Sequence, residues 1–311
     1  MEALLRDRRL LYVTGKGGVG KTTVAAALGL AAAAAGRRTI VCEVAEQDRV
    51  SRAFRREGVV AETEVELAEN LWAITIDPQQ ALEEWLRRQV GGAALRVLAH
   101  SSAFQYFVAA APGAKELITI AKVWELAQTA RWDRSGRTYD LVVVDAPASG
   151  HGLAMLTTPG TFGEIARVGP IRRQAYKVRD LLADPEQTGY VAVALPEEMP
   201  VNETLELERR LPESIGVGLE AIVVNGMWPE RFTVAEADEL RTAAVNGLRP
   251  EAVAAVQAAL TAHERARAQR THLRRLRRAA SSRVVTLPYL FESELGLPEY
   301  EKLAAGLARR L

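Results

Sequence analysis

Cysteine is nearly missing from this chain: Cys42 is its one example. A single thiol excludes an internal disulfide framework. It also excludes a cysteine-rich metal site, or an iron–sulfur cluster, held by one chain alone. A reducing, cytoplasmic setting is therefore expected. Long apolar runs are missing too. The longest, Val24 to Ala35, is mostly alanine and falls short of the roughly 20 apolar residues that span a bilayer. Met1 to Arg9 carries charges without an apolar run, so neither a secretory signal nor stable membrane insertion is expected. No charge sign dominates. Lys plus Arg number 40 against 39 Asp plus Glu, a net +1, without the basic excess that marks nucleic-acid binders, so no nucleic-acid partner is expected. Internal repeats and low-complexity linkers are absent as well.

What is there is an ordinary globular composition, with 48% hydrophobic and 25% charged residues, which argues against disorder. A length of 311 residues allows a sizeable core. Short apolar, β-branched runs recur at Leu10 to Thr14, Thr39 to Val44, Leu71 to Ile76 and Leu141 to Val144. They continue at Tyr190 to Leu195, Leu219 to Val224 and Val284 to Leu287. Continuous apolar strands of this kind suit a parallel sheet covered on both faces. Helix-forming segments separate most of them; Lys21 to Ala35 is the clearest and stops at Gly36. The expected fold class is α/β, a doubly wound, mostly parallel sheet. An inserted helical subdomain is expected at approximately 79–135, with an additional helical segment at 161–183, because gaps of that length are usually functional or form a subdomain.

The strongest chemical signal is Gly15-Lys16-Gly17-Gly18-Val19-Gly20-Lys21-Thr22-Thr23. It fits the phosphate-binding loop pattern and lies between an expected strand and an expected helix. Glycines allow positive φ and let backbone N–H groups approach phosphate oxygens. The following helix N-terminus favours an anion. Lys21 is expected at the β- and γ-phosphates and the Thr22 hydroxyl on Mg²⁺. Asp145, at the end of the Val-rich strand, is the second expected Mg²⁺ residue, acting through water. The Pro/Gly-rich stretch after it reads as a switch loop. His151 within it reads as a structural hydrogen-bonding residue or as a metal ligand or base.

Lys16, a second lysine early in the loop, resembles the deviant Walker A group of P-loop ATPases. The stretch Asp145-Ala146-Pro147-Ala148-Ser149-Gly150-His151-Gly152-Leu153 resembles the D-T-A-P-T-G-H-T motif of the arsenite-pump (ArsA-like) ATPase family, which also contains the ATPases that target tail-anchored membrane proteins. Pro112-Gly113-Ala114-Lys115-Glu116 is similar to that family's helical region. Asp184 to Thr188 and Pro196 to Thr204 are similar to the stretch leading into its later strands. The resemblance covers nearly the whole chain, which reads as a single ATPase domain over 1–311. It implies ATP/ADP and Mg²⁺ as cofactors. It also implies a dimer, with an identical chain or a paralogue, in which Lys16 reaches the partner's nucleotide. Asn225 is implied as the adenine-reading residue, with Pro288 and Leu290 in the loop flanking adenine.

The sequence departs from that family in three places. The segment after the second strand reads Cys42-Glu43-Val44-Ala45-Glu46-Gln47-Asp48, with Ala45 at the position of the acid that orients water. Glu43 is expected to take over at the Mg²⁺ or the water, since alternation along a strand places Glu43 and Ala45 on one side. The alternative is a salt-bridging Glu and weakened hydrolysis. The thiolates that capture arsenite are missing, as is the C-x-x-C that joins targeting dimers through zinc. Apolar residues of the helical region, Leu82, Leu86, Leu95, Leu98, Phe104, Tyr106, Phe107 and Val108, with Met155 and Leu156 after the switch, read as subdomain core or dimer interface, or else as a groove for a hydrophobic client. Arg265 to Arg278 reads as a solvated helix face or a surface for an anionic partner. Glu299 to Leu311 reads as a closing amphipathic helix. Three functions follow: a Mg²⁺-dependent dimeric ATPase switch with catalytic Lys16, Lys21, Glu43 and Asp145; a chaperone for hydrophobic or tail-anchored client helices; or a nucleotide-binding regulatory subunit with little turnover.

Overall fold

The computed structural model describes residues 2–44, 49–55, 60–87, 113–132, 136–166, 168–245 and 249–310. In chain order the first elements are α1 (Glu2–Arg6), β1 (Leu10–Gly15), α2 (Lys21–Ala34), β2 (Thr39–Glu43) and α3 (Arg49–Ala53). Next come β3 (Val65–Ala68), β4 (Leu71–Thr75), helical residues 78–87 as α4, α5 (Ala114–Leu126), β5 (Leu141–Asp145) and α6 (Ser149–Ile165). The remainder is α7 (Pro170–Leu182), β6 (Thr188–Ala194), α8 (Glu198–Ile215), β7 (Ala221–Met227), α9 (Val234–Val245), α10 (Pro250–Ala279), β8 (Arg283–Pro288) and α11 (Leu297–Ala308).

The eight strands form one sheet in the order β3-β4-β2-β5-β1-β6-β7-β8. Every pairing is parallel except β3 with β4. β1, β2, β4, β5 and β6 are buried throughout, as runs without polar alternation require when both faces are covered. Alternation along β1 divides the core. Leu10 and Tyr12 pack with Leu153, Val178, Leu207 and Leu276, from α6, α7, α8 and α10. Leu11 and Val13 pack on the other face with Val24, Val50 and Leu303, from α2, α3 and α11. The exit of β1 thus runs over one face towards β2, and the exit of β5 runs over the opposite face towards β6. A crevice opens between such diverging exits at the carboxyl edge of the sheet.

The expected strands are all present. β3 was not among them, because Val65-Glu66-Leu67-Ala68 is short, carries Glu66, and lies at the sheet edge. A turn with Asn70 in the left-handed region (φ 58) folds it back onto β4. α2 ends where expected: Gly36 has φ 86, and the Gly36 and Arg37 N–H groups donate back to Ala33 and Ala32.

One reading is corrected. Ser149 to Gly152, expected within a switch loop, forms the first turn of α6. Gly152 permits this start, since a Cβ there would lie 3.0 Å from Thr14 Oγ1 and 3.2 Å from the Pro147 carbonyl. The Tyr12 hydroxyl also donates to the Gly152 carbonyl at 3.0 Å. The segment 161–183 resolves into the end of α6 and α7.

Of the expected helical insertion, 78–87 and α5 are helical. Leu95, Leu98, Phe104, Tyr106, Phe107 and Val108 lie outside the described residues, as do Pro112, Ala45, Glu46, Gln47 and Asp48. Leu86, Met155 and Leu156 are buried. Arg265, Arg270 and Arg275 of the Arg-rich stretch are engaged within the chain, over Trp228, with Glu230 and on Asn202 respectively. Among the described residues no helix is long and apolar enough to cross a membrane.

Candidate functional site

The loop after β1 is shaped by its glycines. Gly15 (φ 146), Gly18 (φ 80) and Gly20 (φ 89) all have positive φ. At Gly15 a Cβ would come within 2.2 Å of the Val193 carbonyl oxygen. At Gly20 it would lie 2.3 Å from Asn225 Nδ2. These two positions tolerate only glycine, on both conformational and steric grounds. The loop leads directly into α2, whose N-cap Gly20 makes no side-chain cap, and a helix N-terminus of this kind offers N–H groups to an anion.

Lys21 bends back over the loop, its Nζ donating to the Lys16 carbonyl at 2.9 Å. Burial lowers its pKa; Asp145 opposes the shift and Arg49 adds to it. Thr22 Oγ1 donates to Asp145 Oδ2 at 2.6 Å. The other Asp145 oxygen, Oδ1, is buried without a hydrogen-bond partner. Burial raises the Asp145 pKa, and Thr22, Lys21 and Arg49 counter that. A hydroxyl next to a carboxylate that keeps one spare oxygen is a hard-oxygen donor set, and it fits Mg²⁺.

β2 and β5 bring a second acid alongside. Glu43 pairs in register with Asp145, so the two carboxyl-bearing residues end neighbouring strands. Glu43 is 2% exposed, and its Oε1 accepts the Arg49 N–H at 2.8 Å. Arg49 is itself exposed at the start of α3. Its place beside Glu43 is not visible in the sequence, where it stands in an unpatterned segment. Lys16 is tied down as well: its Nζ lies 2.8 Å from Glu203 Oε1 of α8. His151 is exposed. Among the described residues no group of His, Cys, Asp and Glu could hold a metal ion by itself.

The third wall comes from β7 and β8. Asn225 Nδ2 donates to the Val19 carbonyl at 3.0 Å, which fastens β7 to the phosphate loop. Gly226 (φ 72) breaks the regular pairing there, and buried Gln269 of α10 bonds both Gly226 O and Trp228 N. Pro288 pairs with Met227 at the end of β8, and Leu290 packs on the α2 side of the core. An unanticipated aromatic group follows: Trp228, Tyr289 and Phe291 stand 4.9 to 5.4 Å apart.

A separate charged cluster lies below the α4–α5 helices. Lys122 Nζ is 2.5 Å from Glu84, 3.3 Å from Glu125 and 3.7 Å from Glu62. Arg131 is 2.5 Å from Glu125 and 2.8 Å from Glu64, and it also donates to the Arg137 carbonyl. Tyr139 donates to Glu64 at 2.6 Å. Burial lowers the Lys122 pKa, but Glu125, Glu84 and Glu62 together leave it raised. Burial pushes Glu62 up to about 7 against the pull of Lys122.

Comparison with known proteins shows the family of the chain. The family model described as anion-transporting ATPase matches residues 8–174 and 164–243. ATPase BagA of Mycobacterium tuberculosis is 33% identical over 223 residues, covering 70% of this chain and 64% of that protein. The match thus spans somewhat less than two thirds of that relative. ATPase GET3 of Kluyveromyces lactis is 26% identical over 265 residues, 74% of each chain. A putative arsenical pump-driving ATPase of Aquifex aeolicus is 24% identical over 251 residues, covering 71% and 81%.

Proposed function

The chain belongs to the anion-transporting ATPase family, and from that membership we propose that it is a cytoplasmic, Mg²⁺-dependent ATPase acting as a nucleotide-gated dimer. The observation that carries this reading is the Thr22–Asp145 contact at 2.6 Å with one Asp145 oxygen left unbonded. It stands at the mouth of a glycine loop that accepts no side chain at Gly15 or Gly20. Thr22, and Asp145 through water, would hold Mg²⁺, which would neutralise phosphate charge. Backbone amides of Gly17 to Thr22 and the Lys21 ammonium bind the phosphates. Glu43 orients water or the metal's water shell. Asn225, already braced on Val19, presents its remaining amide valences to the base, flanked by Pro288 and Leu290.

In the dimer, Lys16 reaches the nucleotide of the second chain, an identical copy or a paralogue. That reach requires its pair with Glu203 to part, and ATP-driven closure supplies the competing anion. The rearrangement is passed to the helices between β4 and β5, where a hydrophobic client is the partner that the family resemblance implies.

The test is steady-state ATP hydrolysis with Mg²⁺. Lys21→Ala is expected to lower kcat by roughly 10²–10³-fold, the usual cost of removing one preorganised charge-stabilising donor. ATP that binds tightly but turns over less than once per chain in single-turnover measurements would instead support the regulatory-subunit reading.

A further inference from the structure

We propose that Arg49 is a catalytic arginine supplied by the chain itself, which grips the terminal phosphate of ATP opposite Lys21. The inference rests on the ATPase reading and adds a residue which that reading does not use.

The argument begins with how Arg49 is held. Its backbone N–H donates to Glu43 Oε1 at 2.8 Å. Glu43 stands in register with Asp145, and Asp145 accepts from Thr22 at 2.6 Å. A continuous series of contacts therefore runs from the phosphate loop through two strand ends to the Arg49 backbone. The next two residues of α3, Val50 and Ser51, are buried. The main chain at Arg49 is thus held by Glu43 and by the buried residues that follow it, while the side chain is left exposed.

The guanidinium has no hydrogen bond or ion pair among the described residues, in contrast to the groups around it. Lys21 is on the Lys16 carbonyl, Lys16 on Glu203 and Asp145 on Thr22. Its charge nevertheless reaches the site, lowering the proton affinity of both Lys21 and Asp145. A cation in the first turn of a helix gains nothing from the helix dipole, so local helix stability does not account for an arginine there. Lys21 and Arg49 feel each other's charge and share the neighbouring Asp145, and two cations so placed are complementary to an anion with several oxygens. A planar guanidinium matches a phosphoryl group by donating two parallel hydrogen bonds.

In the reaction, a water oxygen bonds to the γ-phosphorus while the bond to the β–γ bridging oxygen breaks. The bond's electron pair leaves on ADP, and the water proton passes to the phosphate product or to solvent. Arg49 transfers no proton. It neutralises the charge on the terminal oxygens, which an arginine supplied within the same chain does at a gain of several orders of magnitude in other nucleotide hydrolases.

The experiment compares Arg49→Ala, Arg49→Gln and Arg49→Lys with wild type and Lys21→Ala. It measures kcat, KM for ATP, and affinity for a fluorescent ATP analogue. Because Glu43 binds the backbone of residue 49, all three variants keep that contact; thermal melts confirm that they are folded. Arg49→Ala and Arg49→Gln are expected to lose about 100-fold or more in kcat with little change in KM, and Arg49→Lys to recover only part of the loss. A kcat for Arg49→Ala and Arg49→Gln within about threefold of wild type, with Lys21→Ala inactive, would overturn the Arg49 assignment and leave the ATPase reading standing. Equal nucleotide binding and equal turnover in wild type and Lys21→Ala would overturn the ATPase reading itself.

Discussion

Two charged clusters in this molecule use the same residue types to opposite ends. Below the α4–α5 helices, Lys122 and Arg131 are surrounded by Glu62, Glu64, Glu84 and Glu125, and each cation lies within reach of at least two carboxylates. At the carboxyl edge of the sheet, Lys21 and Arg49 stand beside Asp145, yet Asp145 keeps an unbonded oxygen and the Arg49 guanidinium has no partner among the described residues. The first set is paired charge to charge: Glu62 Oε2 and Glu125 Oε2 accept no hydrogen bond but lie 3.7 and 3.3 Å from the Lys122 ammonium, and the cluster joins the 62–64 segment, α4, α5 and the 131–139 segment. The second is open, and a nucleotide with a divalent cation is the ligand we propose for it. Buried ionic groups are therefore read by what they lack. In the first cluster every acid lies within ion-pair distance of a cation or accepts from one, whereas the Arg49 guanidinium of the second is left over among the described residues.

Breaking the paired cluster should have the largest effect. Arg131→Ala leaves Glu125 buried and stripped of its 2.5 Å partner, which typically costs about 3–5 kcal/mol. Denaturant unfolding should show that loss, while affinity for ATP stays unchanged in the folded fraction. An unaltered unfolding midpoint would mean that this cluster is not structural.

The next effect depends on pH. Glu62, pushed up to about 7 by burial, holds its proton more tightly in the folded chain than in the unfolded one. Its contribution to stability is present below about pH 4.5 and is lost as pH rises through about 7. Glu62→Gln should therefore become more stable than wild type by about 1–3 kcal/mol between pH 5 and pH 8. A stability difference that is flat across that range would remove Glu62 from the account.

The smallest effect concerns the open cluster's rim. The Lys16–Glu203 pair is partly exposed, at 30% and 36%, and such pairs contribute about 0.2–1 kcal/mol. Glu203→Gln should free Lys16 and tighten ATP-dependent self-association by about two- to fivefold, as read by analytical ultracentrifugation. Weaker association would show that Glu203 orients Lys16 and does not restrain it.

Much of this was legible in residue order alone. Seven strands could be read because their apolar runs are continuous, and the loop from Gly15 to Thr23 because its glycines and lysine match the phosphate-loop spacing between a strand and a helix. β3 was not legible, since Glu66 breaks its pattern and its edge position demands little burial. The start of α6 at Ser149 was missed because Gly150 and Gly152 suggest a loop, and only the close approach of Thr14 and Pro147 explains a glycine inside that turn. Asn225 stood out as a strand-end amide, but not its bond to the Val19 carbonyl.

The sequence by itself determined the strands, the phosphate loop and the candidate roles of Thr22 and Asp145, because these follow from short-range rules: the period of burial, glycine's freedom at positive φ, and fixed spacing within one motif. The tertiary structure alone decided which charges meet. Glu203 reaches Lys16, Glu43 clamps Arg49, and Glu64 reaches both Arg131 and Tyr139. Those partners are far apart in the chain or sit in unpatterned segments. They are brought together by strand order and register, and neither is written in the neighbourhood of any one residue.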